Sequence, residues 1–163
     1  MRKKVLVIKL EDLLIAKKIQ FGKGPEIRLR NKAKAFLAEL GKIYDIVIFS
    51  DQRTEEAEMI FSALDPTSNM TGPKSIFGNE YTVTKVKGGT EFRIAQRNLE
   101  HLNRSLKDVL VVDFSKNTYS MQPENVLVIP KFDGESSDDD LQKASLLLKR
   151  NIKFGILRFF NFF

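Results

Sequence analysis

The chain has 163 residues, 42% of them apolar and 29% charged, and a formal net charge of +6; that is one ordinary domain, long enough to bury a core unaided and too apolar to be disordered. The absence of cysteine excludes disulfides and thiolate metal sites, which leaves an intracellular or organellar home open. No apolar run approaches the ~20 residues of a membrane span, and Met1-Arg2-Lys3-Lys4 leads straight into strand-like residues, so no cleavable targeting segment is expected.

Val5-Leu6-Val7-Ile8 is a short continuous apolar run, the mark of a strand covered on both faces. Residues 17–35 are basic and hold the breaker cluster Gly22–Pro25, so this stretch is expected to start as a loop. Asn31 is placed to cap a helix through Leu40, with Ala33, Phe36, Leu37 and Leu40 on one face and Gly41 as its stop. Tyr44–Phe49 is a second buried strand. A helix from Thr54 to Leu64 follows. Glu55 and Glu56 favour its dipole, and Met59, Ile60, Ala63 and Leu64 form its expected buried stripe.

Asp65–Asn79 is rich in turn formers. Tyr81–Lys87 and Thr90–Ala95 flank Gly88-Gly89, a two-residue hairpin signal, so a β-hairpin insertion is expected over about residues 75–96. Val109–Val112, ending at Asp113, and Val126–Ile129, ending at Pro130, are two further buried strands. Ser137 with Asp138, Asp139 and Asp140 marks the acidic start of a last helix, reaching about Lys149; a cation site is the rival reading of that triplet. Strands alternating with helices predict an α/β domain over residues 1–150, built on a doubly wound parallel sheet with right-handed crossovers. Residues 151–163 read as a separate docking segment. Five of the thirteen phenylalanines lie in this terminal stretch, Phe154, Phe159, Phe160, Phe162 and Phe163. Such density argues for burial against another protein or a lipid face.

The positive balance suits an acidic protein, nucleic acid or an anionic surface. No nucleic-acid motif accompanies it, and a solvated lysine surface explains it more simply. Lys17, Lys18, Lys23, Arg28, Arg30, Lys32 and Lys34 read equally well as a docking patch or as a solvated loop.

In open parallel sheets, ligands bind beyond the carboxyl ends of the strands. Lys9 and Glu11, Ser50, and Asp113 fall there. The run VLVIKLEDLL at Val5–Leu14 resembles the first motif of haloacid-dehalogenase-superfamily phosphatases, a hydrophobic strand followed by DxDxT. IVIFS at Ile46–Ser50 resembles the second motif, and HLNRSLKDVLVVD at His101–Asp113 resembles the approach to the fourth. YDIVIFS at Tyr44–Ser50, LDP at Leu64–Pro66, LNRSLKDVLVVD, QPEN at Gln122–Asn125 and DGESSDDDL at Asp133–Leu141 occur in the order of the carboxy-terminal-domain phosphatase branch. Within it they are similar to the family of fifty-kilodalton receptor subunits of the mitochondrial inner-membrane import translocase.

The resemblance implies an aspartate nucleophile, a second aspartate as acid and base, a lysine of the third motif, and Mg²⁺ held from the first and fourth motifs. Here the nucleophile position is Lys9, the acid/base position Glu11, the threonine position Leu13, the lysine position Arg97 and the second metal position Phe114. A lysine forms no acyl-phosphate and brings positive charge where a dication would sit. The resemblance therefore implies a degenerate site at Lys9, Glu11, Ser50, Arg97 and Asp113, with no catalysis, metal, cofactor or small-molecule substrate. Lys9 is open to two readings, phosphate binding with Ser50 and Arg97, or an ion pair with Glu11 or Asp113. The cost of a lone buried ammonium favours the second. Asp12 is offset by one residue and reads as a loop residue; His101, the one histidine, reads as packed or solvated.

The expected role is that of a structural or docking subunit in a mitochondrial, inner-membrane-associated assembly, with protein subunits as partners and the membrane met only indirectly. The chain shows neither a membrane span nor the long N-terminal region of the import receptor. That favours another assembly, such as a respiratory complex or a mitochondrial ribosome. A translocase subunit that binds presequences is the alternative, though it would need an acidic, apolar groove; an active phosphatase ranks last.

Overall fold

The computed structural model describes residues 2–66, 75–86, 93–119 and 122–154, with the side chains of 83–86, 93–96 and 153–154 left aside. Five strands form a parallel sheet: β1 (Lys4–Lys9), β4 (Tyr44–Phe49), β5 (Ile76–Phe77), β8 (Val109–Asp113) and β9 (Val126–Val128), in the spatial order β5-β4-β1-β8-β9. Helices α1 (Ala33–Gly41), α2 (Thr54–Ser62) and α3 (Asp140–Phe154) complete the α/β frame. Two antiparallel ribbons stand outside it: β2 (Ile15–Lys18) with β3 (Glu26–Leu29), and β6 (Val83–Val86) with β7 (Arg93–Gln96).

The period of two along each strand splits the core into two layers. Leu6 and Ile8 of β1, Ile46 and Ile48 of β4, and Leu110 and Val112 of β8 face one layer with Phe36, Leu37 and Leu40 of α1, Phe61 of α2, and Leu141 and Leu148 of α3. Val5, Val7, Phe49, Val109 and Val111 face the other, with Leu99 and Tyr119. The continuous apolar runs follow directly, because both faces of every central strand are covered.

Several expectations need correction. Residues 17–35 are not simply a loop: Ile15 pairs with Leu29 and Lys18 with Glu26 across a ribbon. Its strands have four residues each, and its seven-residue connection contains the Gly22–Pro25 breakers that obscured it. Asn31 does not cap α1. Lys32 precedes the helix in the left-handed region, φ 62°, and the Asn31 amide donates instead to the Asp138 carbonyl. Gly41 lies within α1 and does not stop it. Of the expected stripe of α2, Leu64 is buried in the core and Ile60 packs against it, whereas Met59 is 73% exposed and Ala63 is exposed; Ala57 and Phe61 are buried in their place. The β6–β7 ribbon lies inside the expected insertion. Its Gly88-Gly89 turn lies outside the described residues, as do Phe159, Phe160, Phe162 and Phe163; Phe154 ends α3.

The basic stretch is also not one patch. The Arg30 side chain is 1% exposed. It donates through Nε to both Asp138 carboxylate oxygens at 3.0 and 3.1 Å and through Nη2 to Asp140 at 3.0 Å. Its Nη1 donates to the carbonyls of Leu13 and Pro130, and its guanidinium lies 5.6 Å from the Phe132 ring centroid. The acidic triplet is therefore more than a helix cap. Asp138 does accept the Asp140 N–H, but the cation that Asp138 and Asp140 hold is Arg30, which ties the β2–β3 ribbon to the start of α3. Lys18 pairs with Glu135, and Arg28 with Glu26.

Candidate functional site

The strand order reverses around β1, with β4 and β5 on one side and β8 and β9 on the other. Such a reversal opens a crevice beyond the carboxyl ends of the strands. Lys9 ends β1 on the same face as Val5 and Val7, and Asp113 ends β8 on the same face as Val109 and Val111. The ladder pairs Lys9 with Phe49, and Ile8 with Val112, one residue before Asp113. Period and register alone thus bring Lys9 and Asp113 to one place.

The Lys9 side chain is 4% exposed. Its ammonium donates to Glu11 Oε2 at 3.2 Å and to Asp51 Oδ2 at 2.5 Å. Glu11 also accepts the Ser50 hydroxyl and the Asp51 N–H, the latter at 3.0 Å. Arg97 is as deeply buried, at 2%. Its Nη2 donates to the Ser50 carbonyl at 2.8 Å and to Asp51 Oδ1 at 3.1 Å, and its Nε to Thr82 Oγ1 at 3.3 Å. The guanidinium carbon lies 4.9 Å from the Phe49 ring centroid, within cation–π range. One carboxylate, that of Asp51, spans two buried cations.

Asp113 is held differently. Its Oδ1 accepts the N–H groups of Phe114 at 2.6 Å and Ser115 at 3.3 Å. Its Oδ2, the Tyr119 hydroxyl and Arg97 Nη1 are buried together, and Tyr119 interacts with both Arg97 and Asp113. Burial pushes the Asp113 carboxyl above the ordinary carboxylate range, against the opposing pull of the Lys9 charge and the Phe114 N–H. The Tyr119 hydroxyl is pushed up as well, by burial first and by the neighbouring Asp113 charge second.

All five sequence-derived positions, Lys9, Glu11, Ser50, Arg97 and Asp113, converge at the strand ends. Lys9 makes its ion pair with Glu11; the Asp113 alternative is not adopted, because the Asp113 carboxylate turns onto its own following backbone. Sequence reading missed Asp51. Its signal was position, a carboxylate directly after the strand-ending Ser50. Asp12 sits in a left-handed turn, φ 58°, paired with Lys131 at 3.3 Å and away from Lys9. Leu13 is buried in the core, and His101 is exposed on a 3-10 turn.

The residues present do not fit a magnesium ion. An ammonium occupies the strand end of β1, and the Phe114 ring lies 5.9 Å from Lys9 Nζ and 5.5 Å from Lys131 Nζ. A hard dication wants carboxylate and water oxygens there, not two ammonium groups and a ring. Among the described residues no group of three acidic or histidine side chains is arranged to hold a metal.

The sequence profile of NLI interacting factor-like phosphatases matches residues 4–156. The chain belongs to that family. Among its curated relatives, the mitochondrial import inner membrane translocase subunit TIM50 of Candida glabrata is 31% identical over 142 residues, covering 87% of this chain and 28% of the relative. The tim50 subunit of Neurospora crassa is 32% identical over 136 residues, covering 83% and 24%. TIM50-A of Drosophila melanogaster is 30% identical, covering 86% and 38%. The chain thus spans about a quarter to two fifths of the length of these relatives.

Of solved structures, Fcp1, an essential RNA polymerase II CTD phosphatase, superposes with a TM-score of 0.64 at 15% identity, covering 91% of this chain and 50% of that one. A 3-deoxy-D-manno-octulosonate 8-phosphate phosphatase-like structure from Vibrio cholerae gives 0.52 at 10%, covering 95% and 88%. These likenesses establish the fold: this NLI interacting factor-like domain is a haloacid-dehalogenase-like α/β fold with two small antiparallel ribbons.

Proposed function

We propose that this chain is a non-catalytic, phosphatase-like domain that docks within a mitochondrial inner-membrane protein assembly. The observation that carries the loss of catalysis is the Lys9 ammonium, held between Glu11 and Asp51 at the position of the family's nucleophile. A protonated amine in that setting neither attacks phosphorus as a carboxylate would nor shares a metal with the phosphate. The names of the curated relatives favour the import translocase as the assembly over a respiratory complex or a ribosome. That no helix among the described residues is long and apolar enough to cross a membrane carries no weight against that reading, because the match covers only part of those relatives.

The phenylalanine-rich end supplies the proposed docking contact. The family match stops at residue 156, and Phe159, Phe160, Phe162 and Phe163 follow it. Burying one phenylalanine is worth roughly 1.5–3 kcal/mol, so a few suffice to anchor a folded domain after ordering costs.

Purified protein is expected to leave an aryl phosphate intact with and without Mg²⁺. A Mg²⁺-dependent rate that Glu11→Gln abolishes would overturn the non-catalytic reading. For the assembly, affinity purification from mitochondria with mass spectrometry should recover translocase subunits. Recovery of respiratory or ribosomal subunits instead would move the domain to those complexes. Deleting residues 155–163 should release the partners while the domain keeps its circular dichroism; unfolding on deletion would assign the segment to the domain's own core.

A further inference from the structure

The two buried cations of the site share an anion that the chain itself provides. Lys9 Nζ and Arg97 Nη2 sit on side chains 4% and 2% exposed, and each takes one oxygen of the same carboxylate, Asp51 Oδ2 and Oδ1. That carboxylate belongs to a side chain 57% exposed, so it covers the cations from the solvent side. The turn carrying it is tied down. Asp51 donates its N–H to Glu11, its carbonyl accepts the Asn79 amide at 3.2 Å, and the Gln52 carbonyl accepts the Asn79 N–H at 2.8 Å. Arg97 Nη1 is buried beside this pairing, towards Tyr119.

We propose that Asp51 is a resident counter-anion: its carboxylate occupies in cis the oxyanion position defined by Lys9 Nζ and Arg97 Nη2, and thereby closes the site to external oxyanions. The charge balance supports this. With Asp51 in place, the two cations face Glu11 and Asp51, and the second negative charge is covalently attached. Without Asp51, Glu11 alone would still pair directly with Lys9, and Arg97 would lose the carboxylate it contacts among the described residues. Buried cations left short of a partner are costly, so an outside oxyanion of carboxylate or phosphate type is drawn into the vacated position by the same two donors that hold Asp51, Lys9 Nζ and Arg97 Nη2. The turn after β4 holds that carboxylate in place through the bonds of Asn79 to the Asp51 and Gln52 carbonyls. The inference rests on the site's non-catalytic reading, yet it is tested by binding and stability, so a failed phosphatase claim and a failed Asp51 claim are told apart.

The test uses the full chain as wild type, Asp51→Ala and Asp51→Asn, melted at matched ionic strength in chloride, inorganic phosphate or formate. In chloride both variants should melt lower than wild type, by about 3–6 °C. About 50 mM phosphate or formate should restore most of that loss in the variants, as expected for a Kd of a few millimolar, and shift wild type by less than about 1 °C. Asp51→Asn keeps the side chain's size and decides the matter if Asp51→Ala does not fold. Rescue by either anion supports the proposal, and rescue by formate alone fixes the position as carboxylate-sized. Three outcomes overturn it: wild type stabilised by phosphate as strongly as the variants, variants that melt like wild type, or variants that lose stability with no recovery in either anion.

Discussion

Two arginines of this domain, Arg30 and Arg97, are buried to the same degree, and each meets an aspartate, yet their surroundings differ in kind. Arg30 spends Nε, Nη1 and Nη2 on two carboxylates and two backbone carbonyls, and the carboxylates it meets are themselves mostly covered, at 19% and 16% exposed. Arg97 turns Nη1 towards the buried Tyr119 hydroxyl and Asp113 carboxyl, and its aspartate is more than half exposed. The first arrangement is closed and reads as a latch between the β2–β3 ribbon and α3. The second lies at the switch point of the sheet and opens to solvent through Asp51.

The sharpest way to break this contrast is to remove each cation in turn and follow urea unfolding. Arg30→Met should cost about 3–5 kcal/mol, because it strands two nearly covered carboxylates. Lys9→Met, on the site side, should cost only about 1–2 kcal/mol, since Asp51 can turn to water and Glu11 keeps its bonds from Ser50 and the Asp51 N–H. Equal losses for the two variants would remove the distinction between latch and site. A Lys9→Met chain as stable as wild type would show that the ion pair adds nothing to the fold.

Asp113 gives the smallest effect and the one with an opposite sign. Burial raises its carboxyl pKa, so the folded chain keeps this proton at pH values where the unfolded chain has released it. Its contribution to stability is present in full below the ordinary aspartate value and is lost as pH rises through the raised one. Asp113→Asn keeps an acceptor for the Phe114 N–H and removes the buried charge. It should gain stability at neutral pH, and the gain should shrink towards zero as pH falls to the ordinary aspartate range. A loss at neutral pH would mean that the charge of Asp113 is needed by Lys9 and Arg97, and the site would then be a tighter charge network than its hydrogen bonds indicate.

Much of the frame was legible in the residues. Three strands that are continuous apolar runs, Val5–Ile8, Val109–Val112 and Val126–Ile129, and a fourth, Tyr44–Phe49, interrupted by the exposed Asp45, fall where expected, because burial on both faces leaves a hydrophobic signature. Of the strands without that signature, β6 and β7 were signalled by the Gly88-Gly89 pair and the others were missed. The β2–β3 ribbon has an outer strand, Glu26–Leu29, whose residues are exposed or half-buried, so no periodic pattern announces it, and β5 is two residues long. Helix α2 was legible as an element but only partly in its rotation. Phe61 faces the core and Met59 the solvent, and both are equally apolar in the sequence.

By itself the sequence determined the alternation of strands and helices, the polar residues at the strand ends, and the lysine where a nucleophile belongs. These are local properties, carried by hydrophobic periodicity and residue chemistry along short stretches. Tertiary structure decided which charges meet. Asp51 reaches Lys9 across 42 residues, Arg97 reaches Asp51 across 46, and Arg30 reaches Asp138 across 108. No spacing rule relates such positions. Each pair exists because the parallel sheet gathers its strand ends into one crevice, or because a ribbon folds back onto the start of the last helix, and a buried cation has to find its anion wherever the packed chain has placed one.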